Sequence, residues 1–359
     1  MGTKKTNDSS PGESLRVLMV TGIYPTEQKP HAGTFIKSQV DSLLASGVSV
    51  TIIHPAPGPV LVRYLWALCQ IVVKTRTGRF DVVHGHYGLW CLLARLQWST
   101  PVVASFLGDD LLGTVRADGR YSAKSLFVAR ISRYLCRRVD AVIVKSEGMK
   151  KATRSTRSAT LFVIPNGVDF DLFRPLPRAR ARAELGWDQD AYYVLFGNDP
   201  QIAAKNFPLA RAAVDLLCAR GVQARLVIAN GLPQTSVVQY INACNALILP
   251  SLSEGSPNIV KEAMACNVPV VATQVGDVMQ VIGRTDGCKA CPHDAKALAE
   301  ALEEALLHSE PTTGRADIAH LNRSLIAQQV IAVYQEVILK RQTKAPFWSR
   351  RVYREETMS

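Results

Sequence analysis

Hydrophobic positions in this chain come in short unbroken runs rather than in strict alternation. Leu15 to Thr21 is apolar almost throughout and stops at Gly22. A run of that length, rich in valine and leucine and ended by glycine, predicts a strand buried on both faces of a parallel sheet. Val48 to His54, Phe80 to His84, Pro101 to Phe106 and Ala141 to Lys145 repeat the pattern. Helical spacing separates most of them, as in Thr34 to Ser46, which Gly47 closes. Strands and helices in alternation predict a doubly wound α/β unit.

The pattern restarts after Asn166-Gly167. Tyr192 to Phe196, Ala224 to Ala229, Ala246 to Pro250 and Pro269 to Thr273 predict four more buried strands. Pro208 to Arg220 and Pro257 to Cys266 read as helices between them, and Ala295 to His308 and Leu321 to Leu339 as helices that follow. Proline and glycine in Ile164-Pro165-Asn166-Gly167 mark the boundary. The expected organisation is a polar, disordered tail over 1–14, one Rossmann-like domain over 15–167, a second over 168–339 and a basic tail over 340–359. Ligands of open parallel sheets bind beyond the carboxyl ends of the strands. Two such sheets therefore predict a cleft between the domains as the binding site.

Composition changes this picture at a few points. The chain has 359 residues and 47% apolar residues, enough for two cores, and few aromatics. Its net charge of +12 lies wholly in residues 1–165, which carry 22 Lys and Arg against 10 Asp and Glu. A basic half attracts anions, and an anionic membrane surface is the expected partner. Nucleic acid is not, since no recognised binding module accompanies the charge. The eight cysteines stand mostly singly in apolar runs, as small core residues of a reducing compartment. The one CxxC, Cys288 to Cys291, lacks the second pair that a zinc site needs, so no metal is expected. No signal peptide is visible. Pro59 to Val73 is the longest apolar stretch, but it contains Arg63 and is too short for a span, so it reads as a buried or interfacial helix. The expected location is cytoplasmic, peripheral on the inner face of the membrane.

The chemistry concentrates in Ser253-Glu254-Gly255-Ser256-Pro257-Asn258-Ile259-Val260-Lys261-Glu262. A buried strand runs into it. Ser256 as N-cap and Pro257 at the first helical position predict a helix start there, with free N–H groups at Asn258 and Ile259. Such an end, with its dipole, suits a diphosphate, and Gly255 lets the backbone approach closely. Glu254 before the helix and Glu262 within it place two acceptor-only carboxylates at different depths, one suited to sugar hydroxyls and one to a ribose diol. Lys205 follows the strand ending near Gly197 and is placed to neutralise a leaving diphosphate. Gly33 precedes a helix in the first domain, where glycine permits close approach to phosphate. His86 and Asp109 stand at strand ends expected to face the cleft. No GxGxxG follows any strand, which argues against a nicotinamide enzyme.

Together these residues resemble the family 4 glycosyltransferases, whose GT-B fold sets two Rossmann-like domains face to face. The resemblance runs from about Leu15 to Leu307. It is most specific in Glu254-x7-Glu262 with Ala263-Met264-Ala265 and Pro269-Val270-Val271. Pro165-Asn166-Gly167-Val168-Asp169, with Phe173, looks like the family's interdomain segment, and the bacterial envelope-polysaccharide transferases of the teichuronic acid type are the nearest subset. The resemblance implies that Glu254 binds the donor sugar, Glu262 the ribose, Lys205 the diphosphate, and that Gly33 lies against it. It implies a nucleotide-diphosphate sugar as co-substrate, no other cofactor, no metal, and retention of anomeric configuration. The acceptor would be a glycan or a lipid-linked alcohol. Two positions depart from the family pattern. Asn198 stands where arginine is common, and Leu107 where histidine precedes Gly-x-Asp, a role His86 would then take over. These departures keep two alternatives open on the same fold: a non-catalytic nucleotide-sugar-binding or scaffold protein, and a nucleotide-sugar epimerase.

Overall fold

The computed structural model describes residues 14–344 apart from 56, 117, 154–159 and 309. The expected tails therefore lie largely outside the described residues. In the first half, β1 (Arg16–Val20), α1 (Thr34–Ala45), β2 (Ser49–Ile53), α2 (Val60–Thr77), β3 (Val82–His86) and α3 (Gly88–Arg95) come first. β4 (Val102–Ser105), α4 (Asp109–Leu112), α5 (Ala123–Leu135), β5 (Ala141–Val144), α6 (Glu147–Thr153) and β6 (Thr160–Val163) follow. The second half begins with α7 (Arg178–Leu185), β7 (Tyr192–Phe196), α8 (Phe207–Ala219), β8 (Ala224–Ile228), α9 (Gln234–Ala243) and β9 (Ala246–Leu249). It continues with α10 (Asn258–Ala265), β10 (Val270–Thr273), α11 (Val278–Ile282), β11 (Lys289–Cys291), α12 (Ala295–Leu307), α13 (Gly314–Asp317) and α14 (Arg323–Lys344).

The strands form two sheets, ordered β2-β1-β3-β4-β5-β6 and β11-β10-β9-β7-β8. Every pairing is parallel. Parallel strands need crossovers, and the helices supply them while covering both faces. β1, β3, β4, β5, β7 and β9 are almost fully buried, as expected of central strands, and all but β3, which carries His84 and His86, are mainly apolar. Two strands were not among those expected, β6 and β11. Both are short sheet edges: β6 is apolar in three of its four residues but runs directly into the Ile164-Pro165 boundary, and β11, three residues long, has little apolar content.

The division near residue 167 separates the two sheets, but the chain crosses between them twice. After the second sheet, α14 runs back and packs on α1. Tyr334 of α14 is fully buried, and its hydroxyl lies 2.6 Å from His84 Nδ1 in β3. The crossings touch: Val168 N–H donates to the Leu321 carbonyl and Arg323 N–H to the Val168 carbonyl. Gly167 allows this, since a Cβ there would sit 2.6 Å from the Arg323 Cα. Arg323 also pairs with Asp169 at 2.5 Å. One apolar core consequently runs from the α1 and α14 side of the first sheet into the second, and two further cores fill the outer face of each sheet.

Candidate active site

The carboxyl ends of both sheets face a cavity of about 640 Å³. Ile23, His31, Thr34, Phe35, Tyr87, Leu107 and Asp109 line it from the first domain. Gly197, Asn198, Lys205, Asn230, Gln234, Glu254, Ser256, Pro257, Asn258, Ile259 and Glu262 line it from the second.

On the second-domain wall, the strand-to-helix turns after β7 and β9 are tied to each other. Leu252 N–H donates to the Ala204 carbonyl at 2.8 Å, and Asn206 Nδ2 to the Pro250 carbonyl at 3.3 Å. The Ser251 carbonyl accepts from Thr273 Oγ1 at 2.7 Å and lies 2.8 Å from His293 Nε2. Lys205, at the end of a short 3₁₀ turn, is thereby held opposite Glu254, and their side chains form an ion pair of 2.6 Å. Glu254 Oε1 also accepts from Ser251 Oγ at 2.8 Å. The pair is only 23% and 11% exposed, so solvent screens it less than a surface pair.

α10 starts at Asn258, one residue later than expected, with Pro257 as its N-cap and no side-chain cap. Ser256 does not cap it. Its hydroxyl donates to Asp277 Oδ2 at 2.5 Å and accepts from Lys261 Nζ at 2.9 Å. Lys261 is fully buried and also donates to the Asn166 carbonyl at 3.1 Å. Asn166 Nδ2 in turn donates to Asn258 Oδ1 at 3.2 Å. The first turn of α10 is thus fastened to the interdomain segment, and its N–H groups are left for a ligand. Gly197 lets Ile259 in, since a Cβ there would meet Ile259 Cγ1 at 2.5 Å. Glu262, half-buried on the cavity wall, has its carboxyl pushed up to about 7 by burial, with Lys261 opposing. Asn198 lines the same wall, and its buried Nδ2 has no hydrogen-bond partner among the described residues.

Gly255 serves a different approach from the one expected. A Cβ there would lie 2.8 Å from the Leu107 carbonyl and 3.1 Å from the Gly108 Cα, so the loop before α10 touches the first domain backbone to backbone. Gly33 is similar. It takes a left-handed conformation, φ 69°, and packs on Ile23, while its neighbours Thr34 and Phe35 reach the cavity.

The first-domain wall departs most from expectation at His86, which does not face the cleft. β3 runs two residues beyond the predicted end, so His84 and His86 share one face of the sheet and point under α1 and α14. His86 is fully buried, its ring 4.2 Å from that of His84, and neither ring nitrogen has a partner among the described residues. Burial pushes both imidazoles below the usual range, His84 to about 3. His84 lies 2.7 Å from Ser105 Oγ as well as on Tyr334. No histidine of β3 therefore replaces the one absent at Leu107, whose own position does line the cavity.

Asp109 reaches the cavity, within 3.4 Å of both the Tyr87 and Thr114 hydroxyls. Two residues were missed. Asp110, its neighbour, turns inward and is fully buried, accepting N–H bonds from Leu107, Gly108 and Gly88 at 2.9, 2.9 and 3.1 Å. It holds the loop that carries Leu107 and Asp109. Tyr87 projects into the cavity from a positive φ of 73°, rare for a bulky residue and typical of functional sites. The signal for it was present, in Tyr87-Gly88 directly after a strand. Gly88 is required because a Cβ would strike Ser132 Oγ at 2.2 Å.

Comparison with known proteins agrees with this architecture. Residues 17–172 match the family described as Glycosyltransferase Family 4, and residues 156–308 the family described as Glycosyl transferases group 1. A Bacillus subtilis protein named for a role as glycosyltransferase in teichuronic acid biosynthesis is 23% identical over 351 residues, covering 80% of this chain and 88% of that one. A D-inositol 3-phosphate glycosyltransferase of a Mycobacterium species is 29% identical over 281 residues, covering 68% of this chain and 63% of that one, so the match spans less than two thirds of that relative. Among solved structures, sucrose-phosphate synthase of Thermosynechococcus elongatus superposes with a TM-score of 0.74 at 18% identity, covering 91% of this chain and 100% of that one. With both halves matched in order and two parallel sheets facing across one cleft, the chain is a Glycosyltransferase Family 4 domain followed by a Glycosyl transferases group 1 domain, arranged in the GT-B fold.

Proposed function

We propose that the chain is a retaining, metal-independent hexosyltransferase that moves a sugar from a nucleotide-diphosphate sugar to a glycan or lipid-linked acceptor in cell-envelope polysaccharide synthesis. The observation that carries this is the convergence of Lys205, Glu254, Glu262 and the open end of α10 on one interdomain cavity. In this reading the donor diphosphate sits on the Asn258 and Ile259 N–H groups and takes Lys205 from its ion pair with Glu254. Glu254 then turns to the hydroxyls of the sugar, and Glu262 accepts from the ribose. Asn198 offers its amide where an arginine would otherwise stand.

The bond from the anomeric carbon to the diphosphate oxygen breaks while the acceptor oxygen bonds to that carbon on the same face. The acceptor proton passes to the departing diphosphate oxygen. Such a route needs positioning and charge stabilisation more than a protein base, which suits a first-domain wall with Leu107 in place of histidine. Lys205 and the helix end supply the positive charge that a divalent cation supplies elsewhere. The chain would work in the cytoplasm, peripheral on an anionic membrane.

The test is a turnover screen across nucleotide sugars with chelator present. Release of the nucleoside diphosphate is expected to survive EDTA, to fall strongly in Lys205→Ala, and to fall in Glu262→Ala when the donor is below saturation, with unchanged folding by circular dichroism. Full activity in both variants removes the site assignment. An isomerised sugar formed without acceptor would point to an epimerase instead, and no binding by calorimetry to a non-catalytic protein.

A further inference from the structure

One face of the first sheet differs from the rest of the surface. α2, α3 and α5 cover it side by side, with α3 in the middle. Together these three helices carry seven Lys or Arg and no Asp or Glu. The chain as a whole has 42 basic and 30 acidic residues, so an acid-free face of this size is not the average surface. Three of the bases lie on α2 (Arg63, Lys74, Arg76) and three on α5 (Lys124, Arg130, Arg133).

The same face leaves apolar side chains in water. In the first two turns of α2, Val60, Leu61, Val62, Leu65 and Trp66 are 65, 70, 59, 59 and 45% exposed. Phe127 on α5 is 64% exposed. Scattered single apolar residues are ordinary, but a contiguous set marks an interaction surface. No helix among the described residues is long and apolar enough to cross a membrane. What α2 offers is a helix with apolar first turns outward and Lys74 and Arg76 in its last turn, a form that can lie in a bilayer interface. Tryptophan at that boundary and arginine towards anionic headgroups fit the same surface.

The placement relative to the cleft adds a second argument. α2 and α3 start at the carboxyl edge of the sheet, the edge that faces the cavity. Tyr64 of α2 stacks near Trp90 of α3 at 4.9 Å, and α3 begins directly after Tyr87 on the cavity wall. Arg63 Nη2 donates to the Gly22 carbonyl at 3.3 Å, which fixes α2 to the loop after β1. The apolar end of α2 therefore borders the mouth of the cleft on its first-domain side.

We propose that the α2–α3–α5 face docks on an anionic bilayer with the first two turns of α2 inserted, and that this sets the cleft mouth at headgroup level to receive a lipid-borne acceptor. The acceptor part rests on the glycosyltransferase reading of the cleft; the docking part does not. Charge decides for a bilayer over a protein partner: the cations are spread over three helices with no acid among them.

The full chain is sedimented with phosphatidylcholine vesicles and with vesicles that also contain phosphatidylglycerol. Binding to the anionic vesicles is expected, weakening as salt rises. Leu61→Glu with Leu65→Glu is expected to weaken it by about tenfold or more, and Lys124→Glu with Arg130→Glu to a similar degree. All six of these measurements are paired with thermal unfolding and with calorimetric titration of UDP, GDP and ADP, which the variants should leave unchanged. Absence of binding to anionic vesicles at low salt overturns docking, and so does undiminished binding by the Leu61 and Leu65 variant. Self-association of the unaltered chain that the same variant abolishes, without vesicle binding, assigns the face to a second copy and overturns it too. Vesicle binding without affinity for any nucleoside diphosphate leaves docking in place and removes the glycosyltransferase reading.

Discussion

The two walls of the cleft are built differently. On the second-domain wall, two strand-to-helix turns are cross-tied, and Lys205 and Glu254 meet at 2.6 Å within them. Across the cavity, Asp109 and Tyr87 meet only at 3.4 Å, too long for a strong hydrogen bond, and one buried carboxylate, Asp110, holds the loop behind them. In the proposed reading a diphosphate is the constant part of the nucleotide-diphosphate sugars, so a rigid site for it can be built once. An acceptor varies, and a wall for it needs fewer fixed partners.

If that contrast is right, Lys205→Ala should have the largest effect, a fall in turnover of roughly 10²–10³-fold, as for loss of a preorganised charge at a departing anion. The fold should survive, read by an unchanged denaturation midpoint. Asp110→Ala should break the opposite wall through stability instead. Three buried N–H donors lose their acceptor, and chemical denaturation should register a loss of about 3 kcal/mol. Glu262→Ala should cost about 10–100-fold in kcat/KM for the donor, with the loss mostly in KM, because it removes binding rather than charge at the reacting centre. Asp109→Asn should cost less than about tenfold and should act on acceptor KM alone. A loss of donor affinity in that variant would erase the contrast between the walls.

The smallest effect concerns pH. Burial lifts the Glu262 carboxyl to about 7 from an ordinary value of 4.5, so the folded chain holds that proton more tightly than the unfolded one. Its contribution to stability is complete below pH 4.5 and is lost as pH rises through 7. The melting temperature of the ligand-free chain should therefore fall over that window, and Glu262→Gln should reduce the fall by about 1–2 °C. An equal fall in the variant would show that the carboxyl titrates in its ordinary range.

The same contrast explains what could be read from sequence. Nine of the eleven strands, the edges β2 and β8 among them, were legible because each lies in a short run rich in valine, isoleucine or leucine. β6 runs directly into the Ile164-Pro165 boundary, and β11 falls inside the Cys288 to Cys291 segment, read as an isolated CxxC. The second-domain wall was legible because its residues are close in sequence to strand ends and one helix start. Its exact bracing was not. Ser256 was read as a local cap, whereas its partners Asp277 and Lys261 are brought to it by tertiary packing. On the other wall, Asp109 and Asp110 are adjacent and chemically alike, so only the direction of the chain decides which one faces the cavity. His86 failed by two residues of strand length. With β3 ending at His84 it would stand at the edge, but with β3 ending at His86 it lies under α14, a helix almost 250 residues away in the chain.

That distant helix has a mechanical consequence. Because α14 comes home to the first sheet, the halves are joined by two chain segments side by side, stapled at Val168 and Asn322. A single linker would let one lobe twist freely on the other. Two adjacent pins define an axle, about which the jaws can swing while rotation across it is resisted.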